Sequence, residues 1–381
     1  MRILVISVGY PSGQNKARLV FLQRLVNKFA DKGHECTVIA PVRFMREDKN
    51  LDLTELQPTE NGNQVRVFFP RYIGGWMDKK SPLDAVYKLT VRAYANAALQ
   101  VIRKNNIEFD CVYAHFTGFA SLCAVSIGKA FGVPVFAAAG ESKFVSLEGY
   151  NRAETVKALN RMSGIISVSA YNKQILLENG VLDDDSIITL PNGADEKRFY
   201  PRDKAASREA LGLPGDAFIA AFVGHFIERK GPLRLLSAAE GTGVKLAFAG
   251  KGPQTPEGDS VVYCGPVAPE QMPEFLSAAD VFVLPTLTEG CCNAIVESIC
   301  CEIPVISSDR PFNYDVLDPE CSIMVDPENV EALREAILRI KNEPDLYKRL
   351  RDGTRQKKRV LSLDYRADAI LSWIGKRIRQ N

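Results

Sequence analysis

The stretch that decides the fold is Pro285-Thr286-Leu287-Thr288-Glu289-Gly290-Cys291-Cys292-Asn293-Ala294-Ile295-Val296-Glu297. It follows one apolar run, at 281–284, and precedes another, at 305–306. We expect a strand that ends at the proline, a turn through Gly290 and a helix that begins near Asn293. The first backbone N–H groups of such a helix have no partner within it, and they suit a phosphate.

Two carboxylates flank this predicted anion site. Glu289 and Glu297 are separated by seven residues, so the first lies in the loop and the second about one turn into the helix. Acceptor groups on either side of an anion site are suited to holding sugar hydroxyls. Two glutamates at this spacing also occur by chance in helical proteins, so the rest of the chain must decide between these interpretations.

Length and composition limit the class of protein and the number of domains. A chain of 381 residues, 46% hydrophobic and 25% charged, is typical of a globular protein with two domains. The net charge of +2 argues against a nucleic-acid-binding surface. No apolar run reaches the roughly 18 residues of a membrane span, and the first residues lack the pattern of a signal peptide. The sequence therefore predicts a cytoplasmic protein.

The nine cysteines predict small buried thiols rather than disulfides or a metal site. Their number is odd, most lie in apolar runs, and no C-x2-C spacing is present. Four of them cluster as Cys291-Cys292 and Cys300-Cys301, but neighbouring cysteines point in different directions and no histidine is close in the sequence.

Short apolar runs alternate with helical patterns along the chain, which indicates α/β order with parallel sheets. Strands are predicted at 3–7, 35–40, 111–114, 133–137, 164–168, 218–223, 244–249, 261–264, 281–284 and 305–307. Helices are predicted at 19–32, 120–131, 154–162, 233–239, 270–278, 294–300, 331–341, 344–359 and 363–378. The pattern restarts after Asn192-Gly193, so we place one parallel-sheet domain at 1–192 and a second at 193–362.

Nicotinamide, flavin and Walker-type sites are disfavoured. The first βα turn, Val8-Gly9-Tyr10-Pro11-Ser12-Gly13-Gln14, lacks the G-x-G-x-x-G spacing, and no Gly-Lys-Ser/Thr loop is present. Gly9 still permits close approach of a ligand to the backbone, although an ordinary tight turn explains it equally well. In the second half, Gly224-His225 follows a strand, and the adjacent cations Arg229 and Lys230 precede a helix that begins near Pro232.

Together these segments resemble the retaining GT-B glycosyltransferases of the family 4 type. Glu289 and Glu297 match the family's pair of glutamates, and the segment 223–231 resembles its Gly-Arg…Lys-Gly segment. Lys230 matches the lysine that contacts the donor diphosphate, whereas His225 stands at the arginine position, so Arg229 or His225 takes that role. Further matches, in family order, are at 33–35, 168–169, 190–199, 249–253, 263–267 and 278–285.

The resemblance implies a GT-B fold, in which two Rossmann-like domains face a central cleft and the carboxy-terminal helix, 363–381, crosses back to the first. It implies transfer from a nucleotide-diphosphate sugar to a glycan or polyprenyl-linked acceptor, with retention and without a metal or other cofactor. The catalytic residues in this interpretation are His115, Glu289, Arg229 and Lys230. The donor-binding residues are Gly9, Gly224, His225, Arg229, Lys230, Gly290, Cys291, Cys292, Asn293 and Glu297.

The three histidines are expected to have different roles, two near a ligand and one structural. His115 follows a predicted strand, at the sheet edge where α/β proteins bind ligands, and relatives place a histidine there near the donor sugar. His225 lines the donor cleft in this interpretation. His34 lies in a helix–strand turn on the opposite edge, and we expect it to be structural.

Two departures from the family pattern matter. The chain reads Glu289-Gly290-Cys291-Cys292-Asn293 where many relatives have a second glycine, so no sugar preference is carried over, while Asn293 suits a helix N-cap. This variant is similar to the branch that makes capsule, exopolysaccharide and teichuronic-type polymers. The segment Ala139-Gly140-Glu141-Ser142 replaces a His-Gly pair of relatives, which leaves the acceptor side open.

A stretch of mixed aromatic and basic residues is the candidate for the acceptor side. The segment 71–80, with Tyr87-Lys88, Arg92 and Arg103-Lys104, mixes aromatic and basic residues, as does a surface that contacts an anionic inner membrane at its cytoplasmic face. An ordinary loop and amphipathic helix explain it as well. A non-hydrolysing sugar-nucleotide epimerase, or a sugar-nucleotide-binding protein without activity, are the alternative functions. A nucleotide-dependent oxidoreductase is opposed by the missing fingerprint.

Overall fold

The computed structural model describes residues 1–16, 18–44, 51, 53–74, 84–148 and 152–380. These divide into two compact units, Met1–Leu190 with Ala367–Asn381, and Pro191–Arg366. Each unit has the predicted architecture, a mainly parallel sheet covered by helices. The division after Leu190 lies next to Asn192-Gly193, where the polar turn residues interrupt the α/β pattern.

Within its described residues, the first unit contains ten strands and six helices. The strands are β1 (Arg2–Ile6), β2 (Glu35–Ile39), β3 (Val42–Arg43), β4 (Thr54–Pro58), β5 (Gln64–Phe68), β6 (Arg71–Tyr72), β7 (Cys111–His115), β8 (Val135–Ala139), β9 (Gly164–Ser167) and β10 (Ile187–Thr189). The helices are α1 (Val20–Asp31), α2 (Asp84–Lys104), α3 (Phe119–Phe131), α4 (Val145–Glu148), α5 (Arg152–Leu159) and α6 (Ala170–Glu178).

The main sheet of this unit has the order β10-β9-β8-β7-β1-β2-β5-β4, and all pairs except β4 with β5 are parallel. The central strands are buried at nearly every residue because helices cover both faces, which explains their continuous apolar runs. The strand order reverses between β1 and β7. Ligands of open α/β sheets bind beyond the carboxyl ends of the strands at such a reversal.

The antiparallel hairpin formed by β4 and β5 was not predicted from the sequence. In β5 the first residues alternate between exposed and buried, and Asn61-Gly62 lies in the connecting turn, with Gly62 at φ 83°. An Asn-Gly turn beside a run of alternating polarity is a strong hairpin signal, because asparagine and glycine tolerate positive φ. The hairpin was therefore visible in the sequence, but its polar strands lack the apolar runs on which the other predictions depended.

The second unit contains six strands and six helices. They are α7 (Lys204–Ala210), β11 (Ile219–Val223), α8 (Pro232–Ala239), β12 (Lys245–Ala249), β13 (Val261–Gly265), α9 (Met272–Ser277), β14 (Val281–Leu284), α10 (Asn293–Cys300), β15 (Val305–Ser308), β16 (Ser322–Val325), α11 (Val330–Asn342) and α12 (Pro344–Lys357).

The sheet of the second unit is entirely parallel, with the order β13-β12-β11-β14-β15-β16. Counted along the chain this is the 3-2-1-4-5-6 order of a Rossmann fold, with the reversal between β11 and β14. Phe222, Phe248 and Phe282 are fully buried in its core. Residue Ala220 of β11 pairs with Val281 of β14, so the two strands end side by side at the carboxyl edge of the sheet.

The last helix, α13 (Leu363–Gln380), begins in the second unit and belongs to the first from Ala367 onward. Its attachment to the first unit is specific. The Trp373 ring packs on Phe136 with 5.7 Å between centroids, and the Arg377 guanidinium donates to the Asp185 carbonyl oxygen at 2.7 Å. These contacts tie α13 to strand β8 and to the turn that precedes β10.

The described helices include none that is both long enough and apolar enough to cross a membrane. Of the segment considered for membrane contact, residues 75–80 lie outside the described residues. Two side chains farther along have partners within the first unit. The Tyr87 ring packs edge-on against Phe119 at 5.0 Å, and Lys88 Nζ lies 2.8 Å from the Glu154 carboxylate.

All nine cysteines are free thiols, and seven of them are buried, as predicted for small apolar side chains. Cys264 is exposed and Cys291 is half-buried. Burial raises the pKa of Cys36 and of Cys111 to about 12. Buried thiols of this kind stay protonated and serve as packing groups.

Candidate active site

The strand order of the second unit brings together two loops that are distant in the sequence. One loop follows β11 and contains Gly224, His225, Arg229 and Lys230; the other follows β14 and contains Glu289. Because β11 and β14 are neighbours at the point where the strand order reverses, both loops lie at the carboxyl edge of the sheet, where open α/β sheets in general bind ligands.

A short turn presents the two cations. Residues Glu228–Lys230 form one turn of 3-10 helix, and Gly231, at φ 74°, connects it to α8, which begins at Pro232 as predicted. Glycine is required at this position, because a Cβ atom there would lie 2.7 Å from the Pro285 carbonyl oxygen and the backbone is left-handed. This close approach joins the β11 loop to the start of the β14 loop.

The Glu289 carboxylate is the centre of the site. Its Oε1 lies 2.6 Å from Arg229 Nη1 and 2.7 Å from Lys230 Nζ, and it accepts a hydrogen bond of 3.0 Å from Thr286 Oγ1. Arg229 Nη1 also donates to the Thr288 carbonyl oxygen at 2.6 Å. Two cations and one carboxylate leave a net charge of +1 in a largely enclosed cluster.

Burial and charge set the state of Lys230. Only 9% of the residue is exposed, and burial by itself lowers the pKa of its ammonium group. The electrostatic influence of the Glu289 carboxylate and of the Cys292 sulfur outweighs burial, so the pKa of Lys230 lies above its usual value. The lysine is therefore a positive charge at neutral pH, held where water reaches it poorly and where an anion would interact with it strongly.

The β14 loop enters α10 at Asn293, as the sequence predicts, but Asn293 is not the N-cap. Cys292 is the residue before the helix, and it makes no side-chain capping hydrogen bond. The Asn293 side chain instead accepts a 2.8 Å hydrogen bond from Asn192 Nδ2, which also lies 3.2 Å from the Cys291 carbonyl oxygen. Asn192 thus holds the loop from Gly290 to Asn293 in place, and the capping prediction was wrong because this bond claims the Asn293 oxygen.

Glu297 lies on the first turns of α10, at the predicted distance from the helix start. The residue is half-buried, and its carboxyl group makes no hydrogen bond or ion pair with any described residue. Burial raises the pKa of Glu297 to about 7, against the influence of the Arg198 charge. A half-buried carboxyl group without partners, about one turn into a helix, is ready to accept hydrogen bonds from a ligand.

The glycine and histidine of the β11 loop are at the same edge. Gly224 follows the last residue of β11, and a Cβ atom on Gly250, after β12, would overlap its carbonyl oxygen. The turns after the two strands therefore touch through backbone alone. His225 is exposed, next to Gly224, so its ring faces solvent at the edge of the sheet.

The first unit holds the remaining predicted residues at its own carboxyl edge. His115 is the last residue of β7 rather than the residue after it, it is buried, and its ring lies 5.3 Å from that of Phe21. Gly9 is buried after β1, where the Arg18 side chain lies across it and donates to the Val8 carbonyl oxygen at 2.8 Å. His34 lies on the opposite edge, with Nδ1 3.2 Å from the amino-terminal nitrogen.

Sequence reasoning missed three residues that organise the site of the second unit. Thr286 donates to Glu289, Asn192 holds the loop before α10, and Arg234 Nη2 donates to the Pro285 carbonyl oxygen at 2.8 Å. Asn192 lies in the Leu190-Pro191-Asn192-Gly193 turn, whose polar residues were used only to place the domain boundary. Arg234 carries no signal in the sequence, because its partner is 51 residues away. Thr286 is only 3 residues from Glu289, but the conformation of the loop, which packing sets, brings the two side chains together.

Among the described residues, no group of three or more His, Cys, Asp and Glu side chains is arranged to hold a metal ion. The cluster around Glu289 is instead made of one carboxylate and two cations. Those side chains suit an anionic ligand that carries hydroxyl groups.

Comparison with known families agrees with this chemistry. A family model described as Glycosyltransferase Family 4 matches residues 20–198, and one described as Glycosyl transferases group 1 matches residues 203–357. The chain is also 28% identical over 360 residues to a protein of Bacillus subtilis (strain 168) named "Putative teichuronic acid biosynthesis glycosyltransferase TuaC", with 90% of each chain covered.

Solved structures share the fold over the whole chain. Sucrose-phosphate synthase from Thermosynechococcus elongatus matches with a TM-score of 0.79 at 19% identity and covers 100% of both chains. Anabaena HepE, solved in complex with UDP, matches with a TM-score of 0.73 at 14% identity and covers 99% of this chain and 100% of its own. The resemblance seen in the sequence is thus confirmed, and the chain belongs to the GT-B glycosyltransferases, with a family 4 amino-terminal half and a group 1 carboxy-terminal half.

Proposed function

We propose that this glycosyltransferase takes its sugar from a nucleoside-diphosphate sugar bound at the carboxyl edge of the second unit's sheet. The observation that carries the proposal is the meeting of Arg229, Lys230 and Glu289 where the strand order reverses. Two cations match a diphosphate, and a carboxylate in contact with them matches the hydroxyl groups of the attached sugar.

In the absence of a ligand, the Glu289 carboxylate satisfies both cations. On binding, the diphosphate oxygens accept hydrogen bonds from Lys230 and Arg229, and backbone N–H groups between Gly290 and Asn293 add to the positive potential. The Glu289 carboxylate is then shared with sugar hydroxyls. The free cluster carries a net charge of +1, and the negative charge of a bound diphosphate would compensate it.

Glu297 completes the donor site in this proposal. Its carboxyl group is half-buried and has no partner among the described residues, and the two hydroxyls of a ribose supply the missing hydrogen bonds. Two elements would therefore share the binding of the nucleotide: α10 would hold the ribose, and the β11 loop would hold the diphosphate. HepE has been solved with UDP and with UDP-glucose, and Arabidopsis starch synthase IV with ADP, which supports a nucleotide donor in this fold.

The reaction that we propose retains the configuration of the sugar. The bond between the anomeric carbon and the diphosphate oxygen breaks, and a bond from that carbon to an acceptor hydroxyl oxygen forms on the same face. The acceptor proton passes to the departing phosphate oxygen. Lys230 and Arg229 stabilise the charge that grows on the diphosphate as the bond breaks, a role for which preorganised cations are effective. With these cations in place, we propose that transfer requires no metal ion.

We propose a glycan or a polyprenyl-linked saccharide as the acceptor, in the synthesis of a bacterial surface polysaccharide. The name of the Bacillus subtilis relative, which is similar over 90% of both chains, supports this assignment. A lipid-linked acceptor would bring the protein to the cytoplasmic face of an anionic membrane. The alternative of a sugar-nucleotide epimerase has less support, because both matched families are glycosyltransferase families.

The first test is thermal stabilisation of the purified protein by UDP, GDP, ADP, dTDP and their glucose or mannose derivatives, without metal. We expect one nucleotide series to raise the melting temperature of the wild type and to have no effect on Lys230→Ala or Glu297→Ala. Lys245→Ala is the matched control. Lys245 belongs to the same unit, and its Nζ donates a hydrogen bond to the backbone carbonyl oxygen of the exposed residue Asp259. Stabilisation that survives in both site variants would contradict the proposed donor site.

A second measurement separates transfer from epimerisation. The nucleotide sugar that binds is incubated with the protein and a membrane extract that contains lipid-linked saccharides, and the products are separated by chromatography. A transferase releases the nucleoside diphosphate in step with a new glycoside, whereas an epimerase converts the nucleotide sugar into its isomer without any acceptor.

A further inference from the structure

A third cationic side chain contacts the turn that carries Arg229 and Lys230. Arg234 lies in the first turn of α8. Its Nη1 forms an ion pair with Glu228, the first residue of the 3-10 turn, and its Nη2 donates to the Pro285 carbonyl oxygen at 2.8 Å. One guanidinium group therefore bridges the β11 loop and the start of the β14 loop. We refer to Arg234 with these two partners as the Arg234 bridge.

The guanidinium group also packs on the backbone of the turn. A Cβ atom on Gly231 would lie 2.6 Å from Arg234 Nη2 and 2.9 Å from Arg234 Cζ. The Glu228 side chain is 67% exposed, so the ion pair by itself contributes little to stability. The hydrogen bond to Pro285 and the packing on Gly231 are what fix the position of the guanidinium group.

Arg234 is enclosed although it is only partly paired. Only 12% of its side chain is exposed, and its Nε is buried without a hydrogen-bond partner among the described residues. Enclosing a charged group whose hydrogen bonds are incomplete is unfavourable, and folded proteins contain few such groups. The presence of this one therefore requires an explanation.

A third loop is connected through Glu228. The other oxygen of its carboxylate, Oε2, accepts a 3.0 Å hydrogen bond from Gln254 Nε2, in the loop after β12. The Gln254 backbone N–H donates to the Phe226 carbonyl oxygen at 2.9 Å. The loops that follow β12, β11 and β14 are thus connected in series by Gln254, Glu228 and Arg234.

The β14 loop contacts the middle of the turn as well. The Arg229 carbonyl oxygen accepts hydrogen bonds from the Leu287 backbone N–H at 2.8 Å and from the Thr286 hydroxyl at 3.1 Å. These bonds hold the middle residue of the turn. The Arg234 bridge holds the first residue, Glu228, and packs on the backbone directly after the last.

The turn depends on such contacts, because a single turn of 3-10 helix has poor hydrogen-bond geometry of its own. In the free protein the Glu289 carboxylate contacts both cations of the turn. In the proposed function a diphosphate competes with Glu289 for those cations. The Arg234 bridge uses none of the groups that bind the ligand, so it stays intact when the ligand is bound.

We propose that Arg234 is a positioning residue of the donor site, whose bridge between Glu228 and the Pro285 carbonyl oxygen holds Arg229 and Lys230 in the geometry that a diphosphate requires. Arg234 itself does not touch the ligand. This role rests on the proposed function, because it concerns the affinity of that site for a nucleoside diphosphate. Groups that are already held in the bound geometry bind more tightly, since less freedom is lost when the ligand arrives.

The test measures, for the whole chain and its variants, the melting temperature and the affinity for UDP, GDP, ADP and dTDP by calorimetry. Arg234→Met removes the bridge. Arg234→Lys keeps the charge but replaces the planar fork by one ammonium group, which cannot contact both partners in the same way. Lys230→Met and the double variant Lys230→Met, Arg234→Met complete a double-mutant cycle.

The matched control is Arg334→Met in α11. The Arg334 guanidinium also joins a backbone carbonyl oxygen and a glutamate, because its Nη2 donates to the Ser237 carbonyl oxygen at 3.0 Å and its Nε lies 3.3 Å from the Glu331 carboxylate. Ser237 belongs to the last turn of α8, whereas Arg234 belongs to the first. The control thus removes a similar set of contacts from the same unit at the other end of α8.

Both Arg234 variants should weaken the nucleoside diphosphate that binds the wild type by more than threefold, with the larger effect in Arg234→Met. Arg334→Met should stay within threefold, even where it lowers the melting temperature as much. In the Lys230→Met background the factor lost on Arg234→Met should be smaller than in the wild type, because one of the cations that Arg234 positions is then absent. A residue with a merely structural role would lower the melting temperature without this coupling to Lys230.

Affinity within threefold of the wild type in either Arg234 variant would overturn the proposal. So would an equal factor in the presence and absence of Lys230, or a loss in Arg334→Met as large as that in Arg234→Met. Should Arg234→Met fail to fold, Arg234→Lys decides the result alone and in the cycle. Failure of the proposed donor site is recognised separately, because no nucleoside diphosphate would then bind the wild type, and this role of Arg234 would be refuted with it.

Discussion

Lowering the pH should weaken nucleotide binding through a single side chain, Glu297. Burial raises the pKa of Glu297 to about 7 in the free protein, and a ribose that donates to this group favours its ionised form. The ionised fraction falls from about 90% at pH 8 to about 3% at pH 5.5 when the pKa is about 7. If only the carboxylate binds well, the dissociation constant rises about 30-fold over this range, or about 2 kcal/mol.

The stability of the free protein should change in the opposite direction. Between the ordinary carboxyl pKa of about 4.3 and the folded value of about 7, the folded state binds more protons at Glu297 than the unfolded state does. The contribution of this group to the free energy of unfolding is therefore full below that interval and is lost as the pH rises through it. Protonation of Glu297 is thus expected to weaken nucleotide binding and to raise the free energy of unfolding of the free protein.

The assay is isothermal titration calorimetry with UDP, or with the nucleoside diphosphate that stabilises the protein best, at pH 5.5, 6, 7 and 8. Wild type and Glu297→Gln are compared, because the titration of the phosphate itself is common to both and cancels in their ratio. We expect the ratio of the two dissociation constants to change with pH, because the wild-type carboxyl ionises over this range and the amide of the variant cannot. Equal pH dependence in the two proteins would refute the reasoning, since the responsible group would then lie elsewhere.

Three further results are expected. Lys230→Met should weaken nucleoside-diphosphate binding by about 2–3 kcal/mol, roughly 30- to 150-fold, with Lys245→Met unchanged, as measured by calorimetry; an effect below threefold would remove Lys230 from the site. Gly353→Ala in α12 should lower the melting temperature, because its Cβ would overlap the Glu320 carbonyl oxygen, whereas Gly375→Ala in α13, with Arg379 Nη1 at 3.9 Å as its nearest neighbour, should stabilise the protein by about 0.5–1 kcal/mol. Transfer activity should persist after dialysis against EDTA, and recovery of lost activity by added Mg²⁺ or Mn²⁺ would show that the cations of the site do not replace a metal.

The elements with the clearest sequence signals were predicted best. β14 and α8 lie where the apolar run and Pro232 indicated, because a strand buried on both faces must be apolar throughout and a proline is favoured in the first turn of a helix. The β4–β5 hairpin was missed, since one face of each strand meets water and its residues are polar. The Asn61-Gly62 turn was the available signal for it.

In the candidate site, too, local patterns indicated the residues but not the contacts between them. Glu289, Glu297 and Lys230 were singled out as candidates from local spacing, because strand ends and helix starts can be read from the residues beside them. The contacts among them were not predictable, since the 2.6 Å contact between Arg229 and Glu289 spans 60 residues and requires β11 to lie next to β14. The role of Asn293 was misassigned for this reason too, because its partner Asn192 is 101 residues away.

The amino-acid sequence by itself determined the α/β class and indicated the two-domain organisation and the residue types of the candidate site, because periodicity, turn residues and motif spacing are local properties of a chain. Only the tertiary structure decided which loops meet. The 3-2-1-4 strand order joins the Arg229 and Glu289 loops in the second unit, and the neighbouring strands β7 and β8 join Thr117 to Glu141 in the first. Such pairings depend on which strands are adjacent in the sheet, a result of packing the whole chain that no local pattern encodes.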